Sequence, residues 1–418
     1  MHPRANRCTS LFARTVGGVT AIRGCEASRA AMAAMAATFS THEAPYEVQW
    51  RRGKGRGAVA VRDIHAGEHV LVEEPVATAV HHAAKANTCV MCLRKMDENV
   101  QAWSCEACGG LARFCSPTCM QEAVDGTAHA PAVCALLQAA ERCGADVQTK
   151  DRVRAIAGVW TLKGSHPQAY QKFMKLCGSA DDVEEPKGIV DVFAHLLQPK
   201  TQEELQAMAH EVLEWVAKEE KNSMGVVDLQ HLQERRVRGS AIYPDAALFN
   251  HSCLPNLARV DHFDGPTHLG MQMAYVALHD IPQGEELELS YTPLEWGLLD
   301  RQEYLWEGYK FACSCTRCQV ESTWGVEEDA EDDDVSHQIK QDNDMDAYVR
   351  MFIMKYVCTN GECGGTLIPL PGGQVSQCNI CGTQRSEEEF LASLQAEEED
   401  DAEESEEDSD EEEEQDME

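Results

Sequence analysis

The stretch Phe249-Asn250-His251-Ser252-Cys253-Leu254-Pro255-Asn256 lies between apolar segments and reads as a buried turn. Leu248 and Phe249 lead into it, and Pro255 blocks continuation as a central strand or a helix interior. Asn250 and His251 offer polar groups to a ligand there. Cys253 has the chemistry of a metal ligand but no partner nearby in sequence. Taken alone, the stretch is an ordinary polar loop. Its meaning comes from the motifs downstream of it, in order: Gly284-Glu285-Glu286-Leu287, then Ser290-Tyr291, then Tyr309-x-Phe311-x-Cys313-x-Cys315-x2-Cys318.

Working outward, the chain of 418 residues is long enough for two or three domains and a substantial core. No apolar run approaches the length that spans a bilayer. Its formal net charge of −35 is unevenly placed: Glu397 to Glu418 holds 17 acids and Glu327 to Asp334 holds 7, both without a basic residue. Without these 24 acids the remainder carries −11, which argues against a phosphate-backbone binder and suits cationic protein substrates. Of the 19 cysteines, most stand in close C-x2-C, C-x3-C or C-x-C pairs, interleaved with His129. That spacing fits tetrahedral zinc better than a secreted disulfide framework, and zinc thiolates fit a reducing compartment.

Local patterns give the elements. Ala58 to Val61 and Val70 to Val72 read as strands around the turn-like Asp63 to Gly67, preceded by the glycine-rich Gly53-Lys54-Gly55-Arg56-Gly57. That loop lacks the spacing and terminal Lys-Ser/Thr of a phosphate loop. Ser116-Pro117 caps a short helix carrying Cys119 and ending near Gly126. Cys134 to Arg235 reads as helical; Thr201-x-x-Glu204 is a capping box, and Leu205, Met208, Val212, Trp215 and Val216 form a core-facing stripe. Arg238 to Tyr291 returns to β-type sequence, and Leu298 to Glu307 is a helix delivering Tyr309 and Phe311. After Cys318 come the acidic run, read as a solvated loop, and a strand over Met351 to Val357. Cys358-x4-Cys363 and Cys378-x2-Cys381 bracket turn-rich sequence, as in a zinc ribbon. The tail is read as disordered.

The ordered series from about Gly53 to Cys318 resembles the SET-domain protein lysine methyltransferases, in the SMYD-type subfamily that also carries a MYND zinc module. The resemblance implies an α+β fold: a β-rich SET domain split by a MYND module and a helical insert, then a post-SET zinc site and, on cysteine spacing, a C-terminal ribbon-like unit. The expected divisions are a disordered or targeting segment (1–44), the N-terminal part of SET (45–84), MYND (85–134), helical insert (135–237), core SET (238–295), post-SET segment (296–320), acidic loop (321–347), a four-cysteine ribbon-like unit (348–390) and acidic tail (391–418). In the family the MYND ligands cross-brace. Cys89, Cys92, Cys115 and Cys119 would share one zinc; Cys105, Cys108, His129 and Cys134 would share another. Four residues separate His129 from Cys134 where the family has three, so a surface histidine stays open as the alternative. Cys313, Cys315 and Cys318 supply three thiolates, and the family's fourth ligand matches Cys253. With Cys358, Cys363, Cys378 and Cys381, four zinc ions are expected.

The same resemblance implies transfer of a methyl group from S-adenosylmethionine to a protein lysine. Asn250, His251 and Phe311 would hold the donor, with Lys54, Gly55 and Arg56 near its carboxylate and Asn222 at a donor-contacting position, where a plain helix end is the alternative reading. Tyr291 would stand at the methyl-transfer point, contacting donor and amine, and Tyr309 would wall the lysine channel. Substrates would be histones or other basic proteins with exposed lysines. The MYND unit would take a proline-rich peptide, and the chain would be a monomer that binds no membrane and no nucleic acid strongly. The competing reading is a catalytically weak adaptor or histone-binding scaffold; retention of Asn250, His251 and Tyr291 favours the enzyme. The Arg-rich, acid-poor residues 1–41 either target an organelle or precede a true start at Met32 or Met35, which would leave a cytoplasmic and nuclear protein.

Overall fold

The computed structural model describes residues 44–97, 102–227, 236–261, 271–324, 336–361 and 363–395. The Arg-rich start, the acidic run Glu327 to Asp334 and the acidic tail lie outside the described residues. The first part of the chain forms β1 (Tyr46–Arg51), β2 (Gly55–Ala60), β3 (His69–Glu73), β4 (Ala77–Val80), β5 (Trp103–Ser104) and β6 (Arg113–Phe114). Helices come next: α1 (Pro117–Asp125), α2 (Pro131–Arg142), α3 (Val147–Ser165), α4 (Pro167–Met174), α5 (Lys187–Leu197) and α6 (Gln202–Asn222). Strands then return as β7 (Ser223–Val227), β8 (Val237–Ile242), β9 (Asn250–His251), β10 (Leu257–Asp261), β11 (Met273–Ala277) and β12 (Glu286–Leu289). The last elements are α7 (Leu298–Tyr309), α8 (Thr316–Glu321), α9 (Ser336–Tyr356), β13 (Leu367–Pro369), β14 (Val375–Cys378) and β15 (Gln384–Ser386).

The glycine-rich loop is the tip of the β1–β2 hairpin. Gly53 and Gly55 adopt φ of 80° and 82°, angles that a side chain would strain. β2 then pairs antiparallel with β12, and β12 pairs parallel with β9, so the sheet order is β1-β2-β12-β9. A second sheet runs β10-β11-β3 and a third β4-β8-β7. Residues far apart in sequence thus become neighbours: Val80 faces Gly239 across β4 and β8. One apolar core, with Ile64, Tyr243, Phe249, Tyr275 and Leu287, lies among these sheets. It is the interior on which the candidate site is built.

The helices enclose a separate core of Phe173, Phe193 and Trp215. α6 starts at the capping box read from sequence: Thr201 Oγ1 accepts from Glu204 N at 3.1 Å, and Glu204 Oε2 accepts from Thr201 N at 3.3 Å. Val212, Trp215 and Val216 are buried along one side of it. Ser116 Oγ caps α1 by accepting from Cys119 N at 3.1 Å.

Three expectations change. Met351 to Tyr356 are not a strand but the end of α9, which starts at Ser336, inside the stretch read as an acidic loop, and of the predicted strand Val357 alone makes a bridge, to Thr366. Val349, Phe352 and Tyr356 are buried while Tyr348 and Met351 are exposed, which is helical spacing. The short apolar run is ambiguous alone, and the polar helix leading into it sets the period. Second, the helical stretch ends at Asn222, and Ser223 to Val227 pair with β8 as a strand. Third, Asn250 and His251 are not merely a turn, because their backbone joins β12. The outer side of β10 and β11 is covered by α9 and β13, where Ala258, Val276, Leu278, Phe352, Tyr356 and Ile368 bury one another. Tyr356 donates its hydroxyl to Leu278 O at 3.1 Å and Asn379 Nδ2 donates to Arg259 O at 2.8 Å.

Candidate active site and metal centres

The parallel pairing of β9 with β12 sets Glu288 opposite Asn250 and Leu289 opposite His251. Side chains two apart in a strand share a face. Glu286 and Glu288 accordingly gather partners from the glycine-rich hairpin and from β9. Asn250 Nδ2 donates to Glu286 Oε1 at 2.8 Å. Lys54 Nζ reaches Glu288 and lies 3.5 Å from Glu286. Burial holds the Glu288 carboxyl above its ordinary range, with Lys54 acting against the shift. A Cβ on Gly57 would stand 2.6 Å from Asn250 Nδ2 and 2.7 Å from Glu286 Oε1, so only glycine fits beside this pair. Arg56 turns away and donates to Lys175 O at 2.6 Å.

The aromatic residues close the other side. Ring centroids of Tyr291 and Tyr309 are 4.8 Å apart, His251 and Tyr291 5.2 Å, and His251 and Phe311 6.0 Å. Tyr309 is the last residue of α7, and Lys310 after it takes a left-handed φ of 61° that turns the chain toward Phe311. Tyr291 donates its hydroxyl to Phe249 O at 2.7 Å. Burial raises the Tyr291 phenol and pushes that of Tyr309 up to about 12, so both are neutral donors near neutral pH. Burial lowers His251 to about 4 and keeps its imidazole neutral. Asn222, at the end of α6, donates through Nδ2 to Cys177 O at 2.8 Å and Lys218 O at 2.7 Å.

Four groups of cysteine and histidine converge, each with ligand atoms within 4.8 Å of one another. They are Cys89, Cys92, Cys115 and Cys119; Cys105, Cys108, His129 and Cys134; Cys253, Cys313, Cys315 and Cys318; and Cys358, Cys363, Cys378 and Cys381. Sulfur–sulfur distances decide between disulfide and metal. Cys92–Cys115 is 3.7 Å, Cys105–Cys134 3.9 Å, Cys253–Cys318 3.5 Å and Cys358–Cys381 3.6 Å. A disulfide would be about 2.05 Å. Tetrahedral zinc with bonds of about 2.3 Å separates its sulfurs by about 3.8 Å. The donor sets and spacings therefore fit zinc.

His129 is 1% exposed, so the surface-histidine alternative fails. Its Nε2 lies 3.6 Å from Cys108 Sγ, and burial lowers it to about 4, leaving a neutral imidazole of the kind that ligates metal. Most residues singled out in the sequence thus converge on two faces of β9 or on the thiol groups. Arg56 and Asn222 instead spend their side chains on backbone carbonyls. Sequence reading quoted Glu286 in a motif without giving it a role and missed Glu288, although their alternation next to Tyr291 was a usable signal. It also missed Arg301 and Gln302 on α7. Gln302 Oε1 accepts from Cys313 N at 3.0 Å, and its Nε2 donates to Cys313 O at 2.7 Å. The usable signal for Arg301 was its i, i+4 spacing with the apolar Leu305, which shares its buried face.

The sequence model of the family described as SET domain matches residues 55–292. Among curated proteins, the Histone-lysine N-methyltransferase ASHR2 of Arabidopsis thaliana is 27% identical over 382 residues, covering 80% of this chain and 94% of that protein. The Histone-lysine N-methyltransferase SMYD3 of Homo sapiens is 28% identical, covering 64% of this chain and 60% of that protein. The N-lysine methyltransferase SMYD2 of Gallus gallus is 27% identical, covering 64% and 58%. The chain thus spans nearly the whole plant protein but about 60% of the animal ones. A solved SET domain of LSMT, bound to lysine and AdoHcy, overlaps 69% of this chain with a TM-score of 0.27 at 12% identity, too weak a likeness to carry an argument.

Proposed function

We propose that this chain, which belongs to the SET-domain family, is an S-adenosylmethionine-dependent protein-lysine N-methyltransferase acting on histones or other basic proteins. The carrying observation is the convergence of Asn250, His251, Tyr291, Tyr309 and Phe311 around the β9–β12 pair.

S-adenosylmethionine, when bound, supplies a methyl group made electrophilic by its sulfonium. Asn250, the backbone of His251 and the face of Phe311 would hold it. The His251 side chain is not free for that contact, since its Nδ1 accepts from Tyr291 N and its Nε2 faces Cys253 Sγ. The tip of the glycine-rich hairpin is open, with no atom within 4 Å of a Cβ built on Gly53 or Gly55. Lys54 there is the cation suited to a carboxylate, and Glu286 and Glu288 hold it in place. Tyr309 and Tyr291, with rings 4.8 Å apart, would wall the path of the lysine side chain. The Tyr291 hydroxyl orients the incoming amine, and burial among aromatic rings favours the amine's uncharged, nucleophilic form. No strong general base is required for that.

We read the architecture as a SET core interrupted by a MYND module and a helical insert, because β4 and β8 pair from either side of both. Four zinc ions would occupy the four clusters, two in MYND, one after the core and one in the ribbon-like unit. Among the described residues no helix is long and apolar enough to cross a membrane. The test is incubation of the purified zinc-loaded chain with labelled donor and whole-cell extract, with mass-spectrometric mapping of modified sites. Lysine methylation lost in Tyr291→Phe supports the assignment. Donor binding without any protein labelling rejects it.

A further inference from the structure

The group Cys253, Cys313, Cys315 and Cys318 has a cation sealed behind it. Arg301 is 0% exposed, on the inward side of α7. A guanidinium stays charged at any ordinary pH. Taking one out of water is costly unless its partners restore what the water gave. Nη1 of Arg301 donates to Trp296 O at 2.6 Å, and Nη2 to Glu321 Oε2 at 2.7 Å. Its Nε points at Cys253 Sγ at 3.3 Å, and Nη2 is also 3.8 Å from Cys318 Sγ.

Glu321 does not balance this charge alone. Arg317, 2% exposed, sets its own Nε on the other oxygen of the same carboxylate. Two guanidinium groups share one carboxylate, so one positive charge is left over in the interior. The remaining acceptors of Arg301 are sulfur. A neutral thiol would leave the excess uncompensated, whereas four thiolates around a divalent zinc carry an excess of two negative charges. The left-over positive charge offsets one of those two.

We propose that Arg301 is a positioning residue of this zinc centre: its Nε–H and Nη2–H orient Cys253 Sγ and Cys318 Sγ as ligands, and the one positive charge left over among Arg301, Arg317 and Glu321 offsets part of the charge that a zinc tetrathiolate would carry. The role stands on the metal centre and not on methyl transfer. It also explains why α7 delivers Tyr309 where it does. Arg301 and Gln302, adjacent on that helix, fasten its first half to the thiolates, and Tyr309 ends its second half.

The test compares the full zinc-loaded chain with Arg301→Met and Arg301→Lys. Two readouts are taken: the rate at which a chromogenic chelator removes each metal equivalent, and the thiolate-to-metal absorption after cobalt replaces zinc. In Arg301→Met one equivalent should leave about 10- to 100-fold faster, the size of effect usual for groups that orient metal ligands. The other equivalents should leave at the wild-type rate, and the cobalt spectrum should shift. Arg301→Lys keeps the charge and loses the fork, so its release should fall between the two. A packing role alone would lower the melting temperature and leave the release rate untouched. Wild-type release in either variant overturns the proposal, and Arg301→Lys alone decides the matter if Arg301→Met does not fold.

Discussion

His251 accepts the backbone N–H of Tyr291 on Nδ1 at 3.0 Å, while its Nε2 lies 3.2 Å from Cys253 Sγ. The first contact makes Nδ1 an acceptor and so puts the proton of the neutral ring on Nε2, aimed at sulfur. One imidazole therefore ties the Cys253 cluster to Tyr291, the residue proposed for methyl transfer. In His251→Ala the part-buried Tyr291 N–H would lose its partner. A loss of about 1–3 kcal/mol in denaturant unfolding is expected, together with faster metal loss to a chelator.

The Tyr291 hydroxyl has its own partner in Phe249 O, at 2.7 Å. Tyr291→Phe removes the hydroxyl and keeps the ring between His251 and Tyr309. Turnover should fall about 100-fold or more, the usual cost of one oriented group at a reacting centre. Donor affinity by calorimetry should be unchanged. Unchanged turnover at saturating donor would remove Tyr291 from the chemistry.

Gly57 gives a steric prediction. In Gly57→Ala the new methyl would press on Asn250 Nδ2 and Glu286 Oε1, and both side chains would have to move. Overpacking of this kind costs about 1–3 kcal/mol. Donor affinity should weaken by more than stability does, because Asn250 is displaced from the donor side. Equal donor binding in titrations of both proteins would separate Asn250 from the donor pocket.

Glu73 makes stability depend on pH. Its two oxygens accept from Asp245 N at 3.0 Å and Ala246 N at 2.8 Å, fixing the turn that leads into Phe249. Burial raises its folded pKa to about 7 from an ordinary 4.5. The folded state therefore binds the proton more tightly than the unfolded chain. This contribution is full below about pH 4.5 and is lost as pH rises through about 7. Between pH 5.5 and 8 it should cost about 2 kcal/mol. Chemical denaturation at both pH values checks it: the difference between the wild type and Glu73→Gln isolates this group, since thiolate protonation is common to both.

Much of the site was legible because its residue types are scarce and ordered. Asn250-His251, Tyr291 and the C-x-C-x2-C run announce themselves, and so do caps such as Thr201 with Glu204. Direction is read less directly. Arg301 stands one turn before Leu305, so the i, i+4 spacing places it on the inward side of α7, and only its charge argued for solvent. Its burial follows from where the thiolates lie across the fold. Met351 to Val357 failed for a related reason. A short apolar run has no period of its own, and the residues before it choose one. His129 shows the reverse, since a spacing one residue too long is absorbed by the turn between α1 and α2 without moving the imidazole off the cluster.

The cover that α9 and β13 lay over β10 and β11 has a consequence for cells that make incomplete copies. A chain ending just after Cys318 would retain Asn250, His251, Tyr291, Tyr309 and Phe311. It would also bare Ala258, Val276 and Leu278, whose partners Phe352, Tyr356 and Ile368 would be gone. An open apolar face on the back of a central sheet invites aggregation and proteolytic clearance. A premature stop in the last quarter of the message would therefore show itself as missing protein, with every residue of the proposed site still encoded.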